Sequence, residues 1–130
     1  TFIKLPVPPS FHALFRNLSG VGRVKTKRYK AWEEKAGWQL ISQKPRKFRT
    51  PVNLLIVFGP KPGPSRSWDM SNHVKAIEDL LVKHNVIDDD NSNIIKQITC
   101  TQEPDQEGAL VHLSAVSEVS DHDHEEGVAS

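Results

Sequence analysis

The 130-residue sequence predicts an α+β fold, a small mixed four-stranded sheet with two helices packed on one face. Three observations carry this. Apolar residues recur at helical spacing in two separate stretches, within 27–42 and 69–84. Between them runs VNLLIVF, apolar on both sides, as a central strand would be. Two further short extended runs close the chain, giving the order strand, helix, strand, helix, strand, strand.

The first strand spans Phe2 to Val7, where apolar and other residues alternate until Pro8-Pro9 stops it. Ser10 to Thr26, with Gly20, Gly22 and several cations, is expected to be a long loop, and such loops often carry function. Thr26 suits the N-cap of a helix from about Lys27 to Ser42, with Tyr29, Trp32, Ala36 and Leu40 in step and Pro45 beyond its end. Pro51 to Phe58 is the central strand. The Pro/Gly-rich stretch 59–67 breaks the chain before the second helix. That helix ends near His84, with Asn85 as a left-handed cap. Asn93 to Gln102 and Ala109 to Val116 are the last strands. From about Glu118 the polar, acidic SDHDHEEGVAS predicts a disordered tail, so the domain is assigned to 1–117 and the tail to 118–130. His122 and His124 in it could bind a transition metal, but a solvated tail is the plainer reading.

Charge is distributed unevenly. Net charge is only +1, yet residues 1–66 hold all of the 17 lysines and arginines except Lys75, Lys83 and Lys96, against only Glu33 and Glu34. A basic first half suggests a polyanionic partner, with phosphate backbone the usual one. Ordinary surface solubility is the bland alternative. The interspersed aromatics Phe11, Phe15, Tyr29, Trp32, Trp38 and Phe48 are expected mostly in the core. No apolar run is long enough for a membrane helix, and TFIKLPVPPS lacks the features of a signal peptide. The single Cys100, expected to be a small buried hydrophobe, fits a reducing cytosol.

The stretch 69–90, DMSNHVKAIEDLLVKHNVIDDD, carries the chemistry. At roughly 100° per residue, Met70, Val74, Ile77 and Leu81 share one side of the helix, and Asn72, Lys75 and Asp79 the opposite flank, with Asp69 one turn earlier. Asp88, Asp89 and Asp90 come after it. Clustered carboxylates repel unless a cation joins them, and a hard divalent ion such as Mg²⁺ suits oxygen ligands. A plainer reading makes Asp69 a helix cap, Lys75–Asp79 a surface i,i+4 pair, and the aspartate run a polar turn. An EF-hand starting at Asp88 is excluded, because Asn93 and Thr99 stand where glycine and glutamate are needed.

Taken in order, LPVPPS, VNLLIVF, RSWDMSNHVKAIEDLL and NVIDDD resemble the RusA family of Holliday-junction resolvases, from about Lys4 to Val116. The resemblance implies a RusA-like fold and a Mg²⁺-dependent endodeoxyribonuclease of phage or bacterial type, acting in DNA recombination and repair. It would make paired symmetric nicks in a four-way junction, leaving 5′-phosphate and 3′-hydroxyl ends. It also implies a homodimer and a cytoplasmic setting in a bacterial or phage-infected cell. By position, Asp69 corresponds to the family's first metal-binding aspartate, Lys75 to its helix lysine near the scissile phosphate, and Asp90, with Asp89 beside it, to its late catalytic aspartate. The expected catalytic residues are thus Asp69, Lys75 and Asp90; the expected metal set is Asp69, Asp79, Asp89 and Asp90. Arg23, Lys25, Lys27, Arg28, Arg66 and Asn72 are candidates for DNA contacts. There are two departures. His12 stands where an asparagine is frequent, and Ser71 where the family commonly has a second aspartate. Either Asp79 supplies the missing carboxylate, or the chain is a weak or inactive enzyme that binds branched DNA.

Overall fold

In the computed structural model, residues 1–60 and 69–116 are described. Arg66 and the expected tail lie outside them. The chain forms β1 (Phe2–Leu5), β2 (Phe15–Leu18), β3 (Gly22–Lys25), α1 (Lys27–Ser42), β4 (Val52–Phe58), α2 (Val74–Lys83), β5 (Ile95–Gln102) and β6 (Ala109–Ala115). The main sheet is mixed and four-stranded, as predicted, with its strands in the order β1-β6-β4-β5. β4 pairs parallel with β5 and antiparallel with β6, so it is central, as its apolar sequence indicated. A parallel neighbour cannot be reached by a tight turn, and α2 occupies the crossover between β4 and β5.

Burial alternates along β4 and β6, so one face of the sheet is dry. Leu54, Ile56 and Phe58 of β4, Val111 and Leu113 of β6, and Ile3 and Leu5 of β1 form that face. Against it lie Tyr29, Trp32, Ala36 and Leu40 of α1 and Ile77, Leu80 and Leu81 of α2. Each fully buried Leu or Ile contributes about 1.5–3 kcal/mol. Trp32 also donates its indole N–H to the Pro6 carbonyl at 3.0 Å, tying α1 to the proline segment after β1. Thr26 caps α1 through its Oγ1, which accepts from the Tyr29 N–H at 3.1 Å. Asn85 turns the chain out of α2 with φ +59°.

Four expectations need correction. The stretch 10–26 is not an open loop; it holds a short 3-10 turn, Phe11–Ala13, and the β2–β3 hairpin. Asp69 does not cap the second helix with its side chain. A 3-10 turn, Met70–His73, precedes α2, and the Asp69 carbonyl accepts from the Asn72 N–H at 3.0 Å. Trp38 and Phe11 are exposed, while Tyr29, Trp32 and Phe48 are buried. Trp38 lies on the outer face of α1, beyond reach of the sheet. Cys100 is half-buried, because edge strand β5 has no neighbour on one side.

Candidate active site

Lys75 lies in the first turn of α2. Its ammonium donates to Asp90 Oδ2 at 2.8 Å and pairs with Asp79 Oδ1 at 3.1 Å. The Asp79 contact comes from helix geometry, since residues four apart are neighbours on the surface. The Asp90 contact requires the turn after α2 to fold back. The hydrogen bond from Lys75 holds the Asp90 carboxyl below the usual carboxylate range, against the opposing effect of burial. The same bond, again opposed by burial, pushes the Lys75 ammonium further toward the charged form.

The three consecutive aspartates have three different tasks. Asp88 points outward and pairs with Arg49 Nη1 at 3.0 Å. Asp89 builds the turn: its Oδ1 accepts from the Asp90 N–H at 2.7 Å and its Oδ2 from Asn91 Nδ2 at 3.1 Å. Only Asp90 is turned in to Lys75. The turn is fastened to the core from below, where the Phe48 N–H donates to the Val86 carbonyl at 2.7 Å.

Asp69 is held by its own segment. Its Oδ1 accepts from Ser71 Oγ at 2.7 Å and its Oδ2 from Asn72 Nδ2 at 2.9 Å. Asn72, expected at DNA, therefore orients Asp69. The next residue, His73, contacts the Pro8 carbonyl through Nδ1 at 2.9 Å; a carbonyl only accepts, so Nδ1 carries the proton there. This joins the DMSNH turn to the PVPPS segment.

Two open grooves meet at Lys75. One, of about 660 Å³, is lined by Asp69, Ser71, Lys75, Glu78, Ile98 and Cys100 among others. The second, of about 370 Å³, is lined by Phe15, Lys25, Lys75, Asp79, Asp89 and Asp90 with their neighbours. Asp79, Asp89 and Asp90 thus share one groove, and Asp69 lies in the other. Lys75 belongs to both.

Glu78 was not anticipated from the sequence. It lines the Asp69 groove, and its carboxyl is pushed up to about 7, first by burial and then by Asp90, with Lys75 opposing and Asp79 adding. Its spacing from Lys75, three residues on the same helix, was the available signal. Burial likewise pushes the Cys100 thiol up, away from a reactive thiolate.

The donor set is all hard oxygen, which suits Mg²⁺ rather than a softer ion. Among the described residues no three His, Cys, Asp or Glu side chains converge into a metal-holding group. Mg²⁺ needs no such cage, since one or two carboxylates plus substrate phosphate and water suffice. The residues therefore fit a magnesium ion shared with substrate, not a fully protein-enclosed one.

The expected DNA contacts lie mainly at the N-terminal half. Lys25 pairs with Glu33 at 3.1 Å, and the Arg23 guanidinium stacks 4.1 Å over the Phe15 ring. Lys27 and Arg28 are exposed in the first turn of α1, which has no acidic residue. Cations there reinforce the positive helix end, a local cost that a polyanion would relieve.

No helix among the described residues is long and apolar enough to cross a membrane. No curated protein matches the sequence. The family described as Endodeoxyribonuclease RusA matches residues 6–113, a span that takes in the strand β4, the DMSNH turn, Lys75 and the aspartate turn. The chain belongs to the RusA endodeoxyribonuclease family, a family of nucleases that act on branched DNA junctions.

Proposed function

We propose that this chain is a Mg²⁺-dependent, structure-selective endonuclease that resolves Holliday junctions by paired symmetric nicks, working as a homodimer. The observation that carries this is the position of Lys75, its ammonium held by Asp90 and Asp79 at the meeting point of two grooves, one of which contains Asp69. Two nicks related by a two-fold axis require two such sites with the same symmetry. Its setting would be the cytoplasm of a bacterial or phage-infected cell.

Asp69 and Asp90 would hold the ion, with Asp79, Asp89 or Glu78 beside them. Bound there, it would polarise a phosphodiester oxygen and make a water more acidic. Ser71 and Asn72 fix the Asp69 oxygens in place for that task. Lys75 would turn its ammonium from the aspartates to a non-bridging phosphate oxygen and neutralise the charge that builds as water attacks in line. As the phosphorus–oxygen bond breaks, the attacking water loses a proton and the departing 3′-oxygen gains one. Glu78, with its carboxyl near neutrality, is the groove residue suited to move a proton at that pH.

One observation favours a second reading, a branched-DNA-binding protein with weak or no cleavage. Ser71 brings no charge where an aspartate is usual, and its hydroxyl donates its hydrogen bond to Asp69. A synthetic four-way junction incubated with and without Mg²⁺ separates the two. Symmetric nicks that need Mg²⁺ support the enzyme; binding without nicking at any Mg²⁺ concentration would leave the binding protein.

A further inference from the structure

We propose that the β2–β3 ribbon is a branch-point wedge, whose tip residues Leu18 and Val21 enter between unstacked bases at a DNA junction. This rests on the reading above that the partner is branched DNA.

The ribbon pairs only with itself, in the register Phe15↔Lys25 to Leu18↔Gly22. A two-stranded ribbon alone is marginal, so its root must be fixed. It is. Leu14 is fully buried, the Thr26 N–H donates to the Leu14 carbonyl at 3.0 Å, and Thr26 Oγ1 donates to the Ala13 carbonyl at 2.7 Å. The Phe15 ring meets Tyr29 edge-on at 5.7 Å. The tip closes with the Val21 N–H on the Leu18 carbonyl at 3.0 Å, and Gly20 and Gly22 take the positive φ this needs.

At that tip Leu18 is 39% exposed and Val21 67%. Single exposed apolar residues are ordinary. Two together at the end of a rooted ribbon contribute nothing to the core of this chain. The ribbon below them is cationic: Arg16 and Arg23 stand two residues back on its two strands, the Arg23 guanidinium over Phe15 toward the root, and residues 1–32 contain no carboxylate. Apolar side chains set in a cationic frame are the pattern by which architectural proteins open base steps while gripping phosphates. Two small side chains are too little apolar area to anchor in a bilayer, so a nucleic acid fits better than a lipid surface.

The position also fits. Phe15 and Lys25, the paired root residues, line the groove that holds Lys75 and Asp90. Leu18 is three residues further out, about 10 Å at strand rise. That is roughly three nucleotide steps of a DNA strand. One protomer would hold a phosphate at Lys75 and reach the branch point with its ribbon at the same time.

The test uses the full chain without Mg²⁺ and two DNAs of common sequence, a four-way junction with 2-aminopurine next to the branch and a linear duplex with 2-aminopurine at the same sequence position. Fluorescence at saturation reports unstacking, and titration gives both affinities. The wild-type chain should brighten the junction and prefer it. The double variant Leu18→Ser, Val21→Ser should lose the brightening and about ten-fold of the preference, while its duplex affinity stays within about two-fold. Leu18→Phe, which keeps the tip apolar, should retain wild-type brightening, so a general folding defect is distinguished from loss of the wedge. A double variant indistinguishable from wild type overturns the wedge alone. So does an equal loss on junction and duplex, or a loss seen only in binding to phosphatidylserine vesicles. A wild-type chain that binds neither DNA overturns the proposed function itself.

Discussion

In the two grooves that meet at Lys75, the polar side chains already have partners. Lys75 sits 2.8 Å from Asp90 and 3.1 Å from Asp79, and the Asp69 oxygens are filled by Ser71 and Asn72. On the ribbon, Arg16 and Arg23 have no carboxylate partner among the described residues. In the first region each donor and acceptor is fixed by a neighbour, which under the proposed function would aim it before substrate arrives. The second holds cations without ion pairs, Arg23 lying over the Phe15 ring, which under the proposed function would suit a surface that gathers phosphate. Removing a group from the first should alter rate; removing one from the second should alter affinity and its dependence on salt.

The sharpest break in this contrast comes from Asp69→Asn and Asp90→Asn. Each should slow single-turnover nicking by about 10³-fold or more while junction affinity changes only a few-fold. Full activity in either would move the site elsewhere. Next is Lys75→Ala, expected to cost about 10²–10³ in rate. It also removes the hydrogen bond that holds the Asp90 carboxyl low, so that carboxyl protonates at higher pH. The acid limb of the pH–rate profile should therefore shift upward. A pure affinity loss with an unmoved limb would reassign Lys75 to DNA binding.

Arg16→Ala and Arg23→Ala should leave the rate at saturation alone. Each should lower the slope of log affinity against log salt by about 1. An unchanged slope would take that residue off the phosphate path. The smallest effect is one of stability, measured on the free protein apart from any loss of nicking rate, and belongs to Glu78→Gln. The Glu78 carboxyl is raised from its ordinary 4.5 to about 7, so the native state holds a proton there that the unfolded chain releases. Stability from this group is present below about 4.5 and lost as pH rises through about 7. The glutamine variant should thus match wild type at pH 4 and melt a few degrees higher at pH 8, on the order of 1 kcal/mol after solvent screening. Equal melting temperatures at both pH values would show that Glu78 is not desolvated.

The same contrast governs how much of the molecule is legible in its sequence. α2 was legible because Val74, Ile77 and Leu81 keep helical step, and β4 because its run is apolar on both sides. The ribbon was not. Its strands, FRNL and GRVK, are four residues each and exposed on most positions, so no alternation marks them. Glu78 was missed for a geometric reason. Projecting one ideal helix from Asp69 placed Asp79 in line with Asn72 and Lys75. The segment Met70–His73 is instead a 3-10 turn, which advances about 120° per residue rather than 100° and so rotates α2 relative to Asp69. Glu78, not Asp79, then shares the Asp69 groove. Residue chemistry alone could not separate Asp88, Asp89 and Asp90, which are identical; only the family resemblance put Asp90 first, with Asp89 beside it. Their tasks are set by which way the turn faces Arg49, Asn91 and Lys75.

The amide of Phe48, bonded to Val86, and the guanidinium of Arg49, bonded to Asp88, hang the aspartate turn from the segment that leads into β4. The Asp90 carboxylate therefore takes its position in part from a hydrophobic peg, the buried Phe48. A chain lacking the Phe48 ring would keep every charged group and the backbone bond to Val86, but would lose the packing beneath the turn, and Asp90 is expected to lose its set position relative to the lysine. Loss of cutting in such a chain would be a fault of suspension rather than of chemistry.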